Sequence, residues 1–330
     1  MSKSKKPTVR QHYVPQSYLR NFTSTPDKAK NKQMIFQYDK QERLVKEVPV
    51  KDAACVKNIY AYDVKNAFDL PEDTIIEPKG RSQAIESVFS EFIEPLQAEV
   101  IRKIQHIVDN SEYLNLSDTN LSFANTLIPV ELKESLASCI VFQYLRTDFF
   151  KRHNAEQGAR MVEQLTYIRN FYEERFNASF DDNMDQSLDF FGRLASNDDF
   201  GAYMMTSIFS NKEALVHLTQ AILQYSILLT VNESATKFIT SDVPVQLINH
   251  GEKNLMPYFG TPNTEIVFVL TPKIAVTALY PHYGTLDRRI MKDLSDESVN
   301  RTNRIQFDLS RRFVFSQNNE LALLEEEQTE

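Results

Sequence analysis

The spacing of apolar residues changes along the chain and divides it into three regions. Two short runs of alternating apolar and polar residues, at 32–40 and 43–50, predict a β-hairpin. From about residue 81 to 225, apolar residues recur every three or four positions, as in amphipathic helices. From about 226 to 316, short β-branched runs separated by turn residues predict strands. This order indicates an α+β fold, in which a long-helix bundle packs on a mostly antiparallel sheet formed by the N-terminal hairpin and the C-terminal strands.

Three long helices are predicted in the middle region. The first runs from about residue 81 to 108 and contains Pro95, which predicts a kink or break because proline lacks a backbone donor. The second begins near Pro129 and continues to about residue 152, and the third covers residues 156–176. Four acidic residues then follow, and such a run is typical of a solvated loop more often than of a divalent-ion site: Asp181, Asp182, Asp185 and Asp189.

The chain lacks internal boundaries that would divide it into several domains. It contains only 7 Gly in 330 residues, and it has neither a low-complexity linker nor a repeat. We therefore expect a single domain over residues 9–316, with a helical middle at about 81–225 and a sheet at about 226–316. A basic leader, residues 1–8, and an acidic tail, residues 317–330, are expected to be disordered.

Composition indicates a globular protein without a membrane segment. Hydrophobic residues make up 42% and charged residues 25% of the chain. The two cysteines, Cys55 and Cys139, form no CxxC and support neither a disulfide framework nor a zinc knuckle. No apolar segment of signal-peptide type follows the basic start, and the longest apolar stretch, at 221–231, is too short to span a bilayer. We therefore expect a cytoplasmic protein.

Charge is distributed unevenly along the chain. Residues 1–60 hold 13 Lys and Arg against 5 Asp and Glu, a balance of +8. Because the whole chain has a net charge of −8, the remaining residues carry −16. An acidic body argues against a protein that coats duplex DNA generally. A local basic surface near the N-terminus remains compatible with a nucleic-acid or nucleotide partner, and the alternative is a solubilising tail.

The stretch "QHYVPQSYLRNF", residues 11–22, is the first with candidate chemistry. Pro15 suits the first turn of a helix. His12 lies just ahead of that helix and Gln16 lies in its first turn. The imidazole of His12 could serve as a general base, a metal ligand or a phosphate partner. The alternative is a hydrogen-bonded histidine that anchors the N-terminal segment.

Two further polar groups interrupt apolar patterns. On the second long helix, an apolar stripe continues through Gln143 and Arg146, and a buried arginine needs a carboxylate or an anionic ligand. Glu86, on the flank of the first helix, is the candidate carboxylate, and the alternative is a plain glutamate on the helix surface. In "FITSDVPV", Ser241 and Asp242 end a predicted strand, where sites are common. The alternative there is a Ser-Asp turn that bonds only its own backbone.

Four segments occur in an order that is typical of a known family: "QHYVPQSYLRNF", "QYLRTDFF", "TSDVPV" and "VFVLTP". Over about residues 9–316, the chain resembles the uncharacterised, mainly bacterial proteins catalogued as domain of unknown function 4238. The family turn is often Ser-Asp-Asn-Pro, and Val243 stands here in place of the Asn. The resemblance implies no established activity, but it implies that its characteristic polar positions converge on one site: His12, Gln16, Glu86, Gln143, Arg146, Ser241 and Asp242.

Two functional hypotheses follow from these residues. In the first, the protein is a hydrolase of a phosphate-containing substrate, in which Arg146 neutralises developing charge and His12 transfers a proton. Asp242 and Glu86 would orient His12 or hold a divalent metal such as Mg²⁺ or Mn²⁺, and three side chains would position the substrate: Gln16, Gln143 and Ser241. In the second, the same residues form a buried structural network in a non-catalytic binding or interaction module.

Overall fold

The computed structural model describes residues 10–62, 85–116, 119–176, 181–196, 199–251, 258–280, 284–319 and residue 321. These residues form an α+β protein, which confirms the predicted class. The expected leader, most of the expected tail and the start of the first predicted helix lie outside the described residues. Among the described helices, none combines the length and apolar character needed to cross a bilayer.

The described helices fall mainly in the middle of the chain. They are α1 (Gln16–Leu19), α2 (Glu94–Asn110), α3 (Val130–Leu145), α4 (Asp148–Phe176), α5 (Asp182–Ser196), α6 (Phe200–Ser210), α7 (Lys212–Leu223) and α8 (Asp296–Asp308). A π-helical turn, Phe89–Ile93, precedes α2, and Pro95 lies in the first turn of α2. The chain stays helical from residue 85 to 110, so there is no break at this proline; the irregularity is the π-helical turn just before it, and the kink stays a prediction.

The described strands form three sheets. They are β1 (Arg10–His12), β2 (Met34–Asp39), β3 (Leu44–Pro49), β4 (Cys55–Lys57), β5 (Tyr113–Asn115), β6 (Leu121–Ala124), β7 (Ser226–Asn232), β8 (Thr240–Ser241), β9 (Val245–Asn249), β10 (Thr264–Thr271), β11 (Ile274–Leu279), β12 (Ile290–Asp293) and β13 (Phe313–Ser316). The largest sheet has the order β5-β6-β12-β7-β11-β10-β9, a second has the order β3-β2-β13-β8, and β1 pairs with β4.

The sheets refine our expectation of a single sheet. The predicted N-terminal hairpin, β2–β3, joins β13 and β8, whereas the other C-terminal strands belong to the seven-stranded sheet. Pairing in both sheets is antiparallel except between β12 and β7, as the prediction of a mostly antiparallel sheet required. Strands β10 and β11, rich in β-branched and apolar residues, are buried almost throughout and have a paired strand on each side.

The chain divides into two compact units. The smaller contains residues 1–11, 56–89 and 148–212, and the larger contains residues 12–55, 90–147 and 213–330. The helices of the middle region are therefore divided: α2 and α3 belong to the unit with both large sheets, and α4, α5 and α6 belong to the smaller one. A single folding domain over residues 9–316 stays a prediction.

Two glycines allow the helices of the smaller unit to approach closely. A Cβ atom on Gly158 of α4 would lie 2.4 Å from the ring of Phe200, and one on Gly201 of α6 would lie 1.9 Å from the carbonyl oxygen of Lys151. An alanine at either position would force α4 and α6 apart. The aromatic residues around this contact form the core of the unit, with Leu194, Phe200 and Ala202 buried.

Two sequence predictions for this helical region were wrong. The second long helix does not continue to residue 152, because α3 ends at Leu145 and α4 begins at Asp148. The acidic run at 181–189 is not a loop but the start of α5. Asp181 caps it, with its Oδ1 accepting from the backbone N–H groups of Asn183 and Met184 at 3.0 and 3.3 Å, and acidic residues stabilise a helix N-terminus.

Candidate functional site

Arg146 lies at the centre of the first polar cluster. It caps the C-terminus of α3 and has 0% of its surface exposed. Its Nη2 donates to the backbone carbonyl of His12 at 2.6 Å, and Nη1 and Nη2 both lie 3.3 Å from Oε1 of Glu94. We call these three residues the N-terminal clamp, because the guanidinium joins the segment before α1 to the start of α2 and the end of α3.

The carboxylate in the clamp is Glu94, a residue that the sequence reasoning missed. It is the first residue of α2, where a negative side chain is favoured by the helix dipole. Its side chain is 25% exposed, so the ion pair reaches the protein surface at one edge. A buried arginine was expected to have a carboxylate partner, and Glu94 meets that expectation; the candidate Glu86 is partly buried in the helical segment before the π-helical turn.

The predicted substrate-binding glutamines extend the clamp. One turn along both helices, Gln97 Nε2 donates to Oε1 of the buried Gln143 at 3.4 Å, while Gln143 Nε2 has no partner among the described residues. Gln16 Oε1 accepts from Arg20 Nη2 at 2.9 Å. Burial lowers the pKa of Arg20, and the nearby Glu94 carboxylate opposes this shift.

The imidazole of His12 is directed toward a different element. Its Nε2 donates to the carbonyl of Lys51 at 3.0 Å, in the 3-10 turn Val50–Asp52. The next residue, Tyr13, donates its backbone N–H to the carbonyl of Ala54 at 3.2 Å. Arg146 therefore contacts the main chain of His12, whereas the ring of His12 attaches the 50–52 turn.

The opening motif and the "TSDVPV" motif do meet, through a residue pair that the sequence reasoning did not single out. The hydroxyl of Tyr18 donates to the carbonyl of Val269 and lies 2.7 Å from Oγ1 of Thr240. Its ring stacks on Phe268 with centroids 5.6 Å apart. Complete burial raises the pKa of Tyr18 far above its ordinary value. Tyr18 thus anchors α1 on β8 and β10.

Ser241 and Asp242 lie in a separate buried network. The carboxylate of Asp242 is 5% exposed and accepts three backbone N–H groups, from Arg311 at 2.9 Å, Arg312 at 2.8 Å and Phe313 at 3.0 Å. Burial raises the pKa of Asp242, and these hydrogen bonds and the charge of Lys40 partly offset the rise. Asp242 therefore organises the turn that leads into β13.

The Ser241 hydroxyl is equally engaged. It bonds the carbonyl of Val243 and the side-chain oxygen of Gln306, both at 2.9 Å, and the Val243 N–H lies 3.3 Å from it. Gln306 Nε2 in turn donates to the carbonyl of Pro244 at 3.0 Å. Ser241 thus ties its own turn to α8, whereas the alternative sequence interpretation expected bonds to the backbone of that turn alone.

The predicted site residues therefore belong to two clusters with different contacts. His12, Gln16, Gln143 and Arg146 share the N-terminal clamp and its flank, whereas the contacts described for Ser241 and Asp242 are with the turn before β13 and with α8. In the part of the chain that the structure describes, no group of three His, Cys, Asp or Glu side chains lies close enough to hold a metal ion.

A lysine-rich surface lies next to the clamp. It consists of Lys28, Lys30, Lys32 and Lys51, all exposed, and we call it the lysine surface. The loop that carries the first three is closed by two hydrogen bonds, Ser24 N–H to the Met34 carbonyl and Met34 N–H to Thr25 Oγ1, both 2.9 Å long. Within the described residues, none of the four lysines forms an ion pair.

Comparison with known proteins then places the chain. A family model described as "Protein of unknown function (DUF4238)" matches residues 10–320. The chain belongs to this family. The family match covers both polar clusters and the lysine surface, and it confirms the resemblance inferred from the sequence motifs. No curated protein matches the chain significantly. No solved structure does so either.

Proposed function

We propose that this DUF4238 protein is a non-catalytic binding module that contacts nucleic acid through the lysine surface. The observation that carries the proposal is the burial of the charged groups expected to be catalytic. Arg146 and Asp242 are directed at backbone atoms, and a group that is already engaged in this way is poorly placed to transfer protons or to neutralise a reacting phosphate.

The clamp and the lysine surface are connected by a short series of contacts. Arg146 holds the main chain of His12 at 2.6 Å, and the ring of His12 holds the 50–52 turn at 3.0 Å. That turn also donates the Val50 N–H to the carbonyl of Gln33 at 3.0 Å, next to Lys32. The polar residues of the opening motif thus position the two segments that carry the lysines.

The charge of the surface fits a phosphate backbone. Three of the lysines lie in two short 3-10 turns, Lys30–Lys32 and Val50–Asp52, and Lys28 lies just before the first. Asp27 and Asp52 lie in the same segments, which leaves a local balance of +2 from four lysines and two aspartates. Exposed ammonium groups without carboxylate partners bind phosphates and release the counterions of the nucleic acid.

The test is the salt dependence of binding to a fluorescently labelled single strand of about 20 nucleotides, which matches the site sizes of single-strand binders. Four lysine–phosphate contacts predict a slope of log K against log salt of about −3. In a triple variant with Lys28, Lys30 and Lys32 changed to Gln, the slope should fall in magnitude by about 2, because three contacts are lost.

A matched control separates a local surface from overall charge. Changing three other exposed lysines, Lys103, Lys212 and Lys273, to Gln removes the same total charge elsewhere and should leave the slope unchanged. The proposal would be contradicted if the salt slope fell equally in the two triple variants, or if the wild type did not bind the strand at low salt. Cleavage of the strand that depends on His12 would instead support the hydrolase hypothesis.

A further inference from the structure

The C-terminal half of α4 presents an apolar face to solvent. It is formed by Tyr167, Ile168, Phe171, Tyr172 and Phe176, with exposed fractions of 71%, 50%, 54%, 40% and 62%. The first four residues occupy adjacent positions on the helix surface, since steps of three and four residues return to the same side. In heptad notation they are g, a, d and e, the positions that face another helix in a coiled coil.

The N-terminal half of α4 is already occupied within its own unit. Gly158 packs against the ring of Phe200, and Met161 packs against the buried aromatic cluster. Arg169 Nη1 lies 3.6 Å from Oδ1 of Asp185 on α5. The exposed aromatic face therefore begins beyond this packed half, from Tyr167 onward.

The size of the face is that of a weak but specific interface. A fully exposed aromatic side chain offers about 150–250 Å², so these exposed fractions amount to roughly 600 Å² on one copy. Two such faces would bury about 1,200 Å², at the lower end of specific protein–protein interfaces. An exposed patch of this area is at the upper end of what soluble monomers carry, and such patches are often functional.

We propose that this face binds the same face of a second copy of the chain, with the two α4 helices antiparallel. In that arrangement Ile168 of each copy packs against Phe171 of the other, as required of an interface with twofold symmetry. Arg175 then lies beside Gln164 of the second copy. A parallel pairing would instead place Arg175 against its own equivalent, and like charges at a helix interface are unfavourable.

Sedimentation velocity from about 1 to 100 μM should show a reversible dimer, the range expected for micromolar affinity. Ile168→Glu combined with Phe171→Glu should weaken the dimer more than tenfold without altering the circular dichroism spectrum, because both residues are exposed. Phe92→Glu is the control: Phe92 is 67% exposed and lies outside α4, so this variant should dimerise like the wild type.

Cross-linking tests the orientation of the helices. With Cys55 changed to Ser in both proteins, a mixture of Ile168→Cys and Phe171→Cys proteins should form mostly the mixed disulfide on oxidation, because antiparallel packing brings positions 168 and 171 together. A monomeric wild type, an unaffected double Glu variant, or a Phe92→Glu variant that fails to dimerise would overturn the proposal. Disulfides formed preferentially between identical variants would contradict antiparallel pairing.

Discussion

Replacing Arg146 by Ala separates a structural role from a catalytic one. The substitution removes a charged hydrogen bond to the His12 carbonyl, which contributes about 2 kcal/mol. It also removes the pair with Glu94, which contributes only about 1 kcal/mol because that carboxylate is partly exposed. Lost packing of the buried aliphatic stem adds about 1 kcal/mol.

These contributions amount to about 4 kcal/mol of unfolding free energy. For a large domain, each kcal/mol lowers the melting temperature by about 2 to 3 °C, so differential scanning calorimetry should show a decrease of about 10 °C. Arg146→Lys should lower the melting temperature by about half as much. An ammonium keeps the charge, but it lacks the planar guanidinium that donates to both the His12 carbonyl and Glu94. Arg152→Ala is the control, since the Arg152 side chain is 56% exposed in its pair with Asp148 and its loss should change stability very little.

A double-mutant cycle tests the assigned partner. Arg146→Ala and Glu94→Gln should be coupled by about 1 kcal/mol, since each removes the same ion pair. The reasoning would be refuted if Arg146→Ala left the melting temperature unchanged. It would also be refuted if Arg146 and Glu94 behaved additively.

Two further predictions concern titrating groups. The Arg312 guanidinium lies 2.7 Å from Asp39 Oδ2 and lowers the pKa of Asp39. The stability that this ion pair contributes is therefore present above about pH 4 and is lost as the pH falls through the lowered pKa. Thermal melts should therefore decline less on acidification in Arg312→Gln than in the wild type, and identical profiles would exclude this pairing. Burial raises the pKa of Cys139 to about 12. A chromogenic disulfide reagent should therefore react with Cys55 alone in the native protein and with both thiols after unfolding. Rapid reaction of both thiols in the native protein would contradict the burial of Cys139.

Much of the fold could be predicted because the relevant interactions are local or periodic. The β-branched runs of β10 and β11 and the apolar spacing of α2 indicate their conformations directly. Pro95 predicted an irregularity in this helix because its effect on the preceding turn is steric, and a π-helical turn lies just before it. The short hairpin of β5 and β6 was missed, since three- and four-residue strands give too little alternation to detect.

The partners within the site could not be predicted in the same way. Glu86 and Glu94 lie two turns apart in the sequence, but the π-helical turn Phe89–Ile93 between them changes the helical phase, and the sequence does not reveal it. The break after α3 had one usable signal, Thr147 followed by Asp148, which are residues that favour helix N-termini. Convergence of Asp242 with Arg146 was inferred from the motifs alone, and the contacts of Asp242 are instead with the backbone at 311–313.

The most direct test of the account is the salt slope of single-strand binding by Arg146→Gln, which removes the charge, measured well below its melting temperature. If Arg146 acts only by holding the N-terminal segment, the variant should be less stable and yet keep the wild-type slope of about −3, because all four lysine contacts remain. A slope reduced in magnitude by about 0.7 in a fully folded variant would mean that residue 146 itself contacts phosphate. That result would contradict a purely structural role for the clamp.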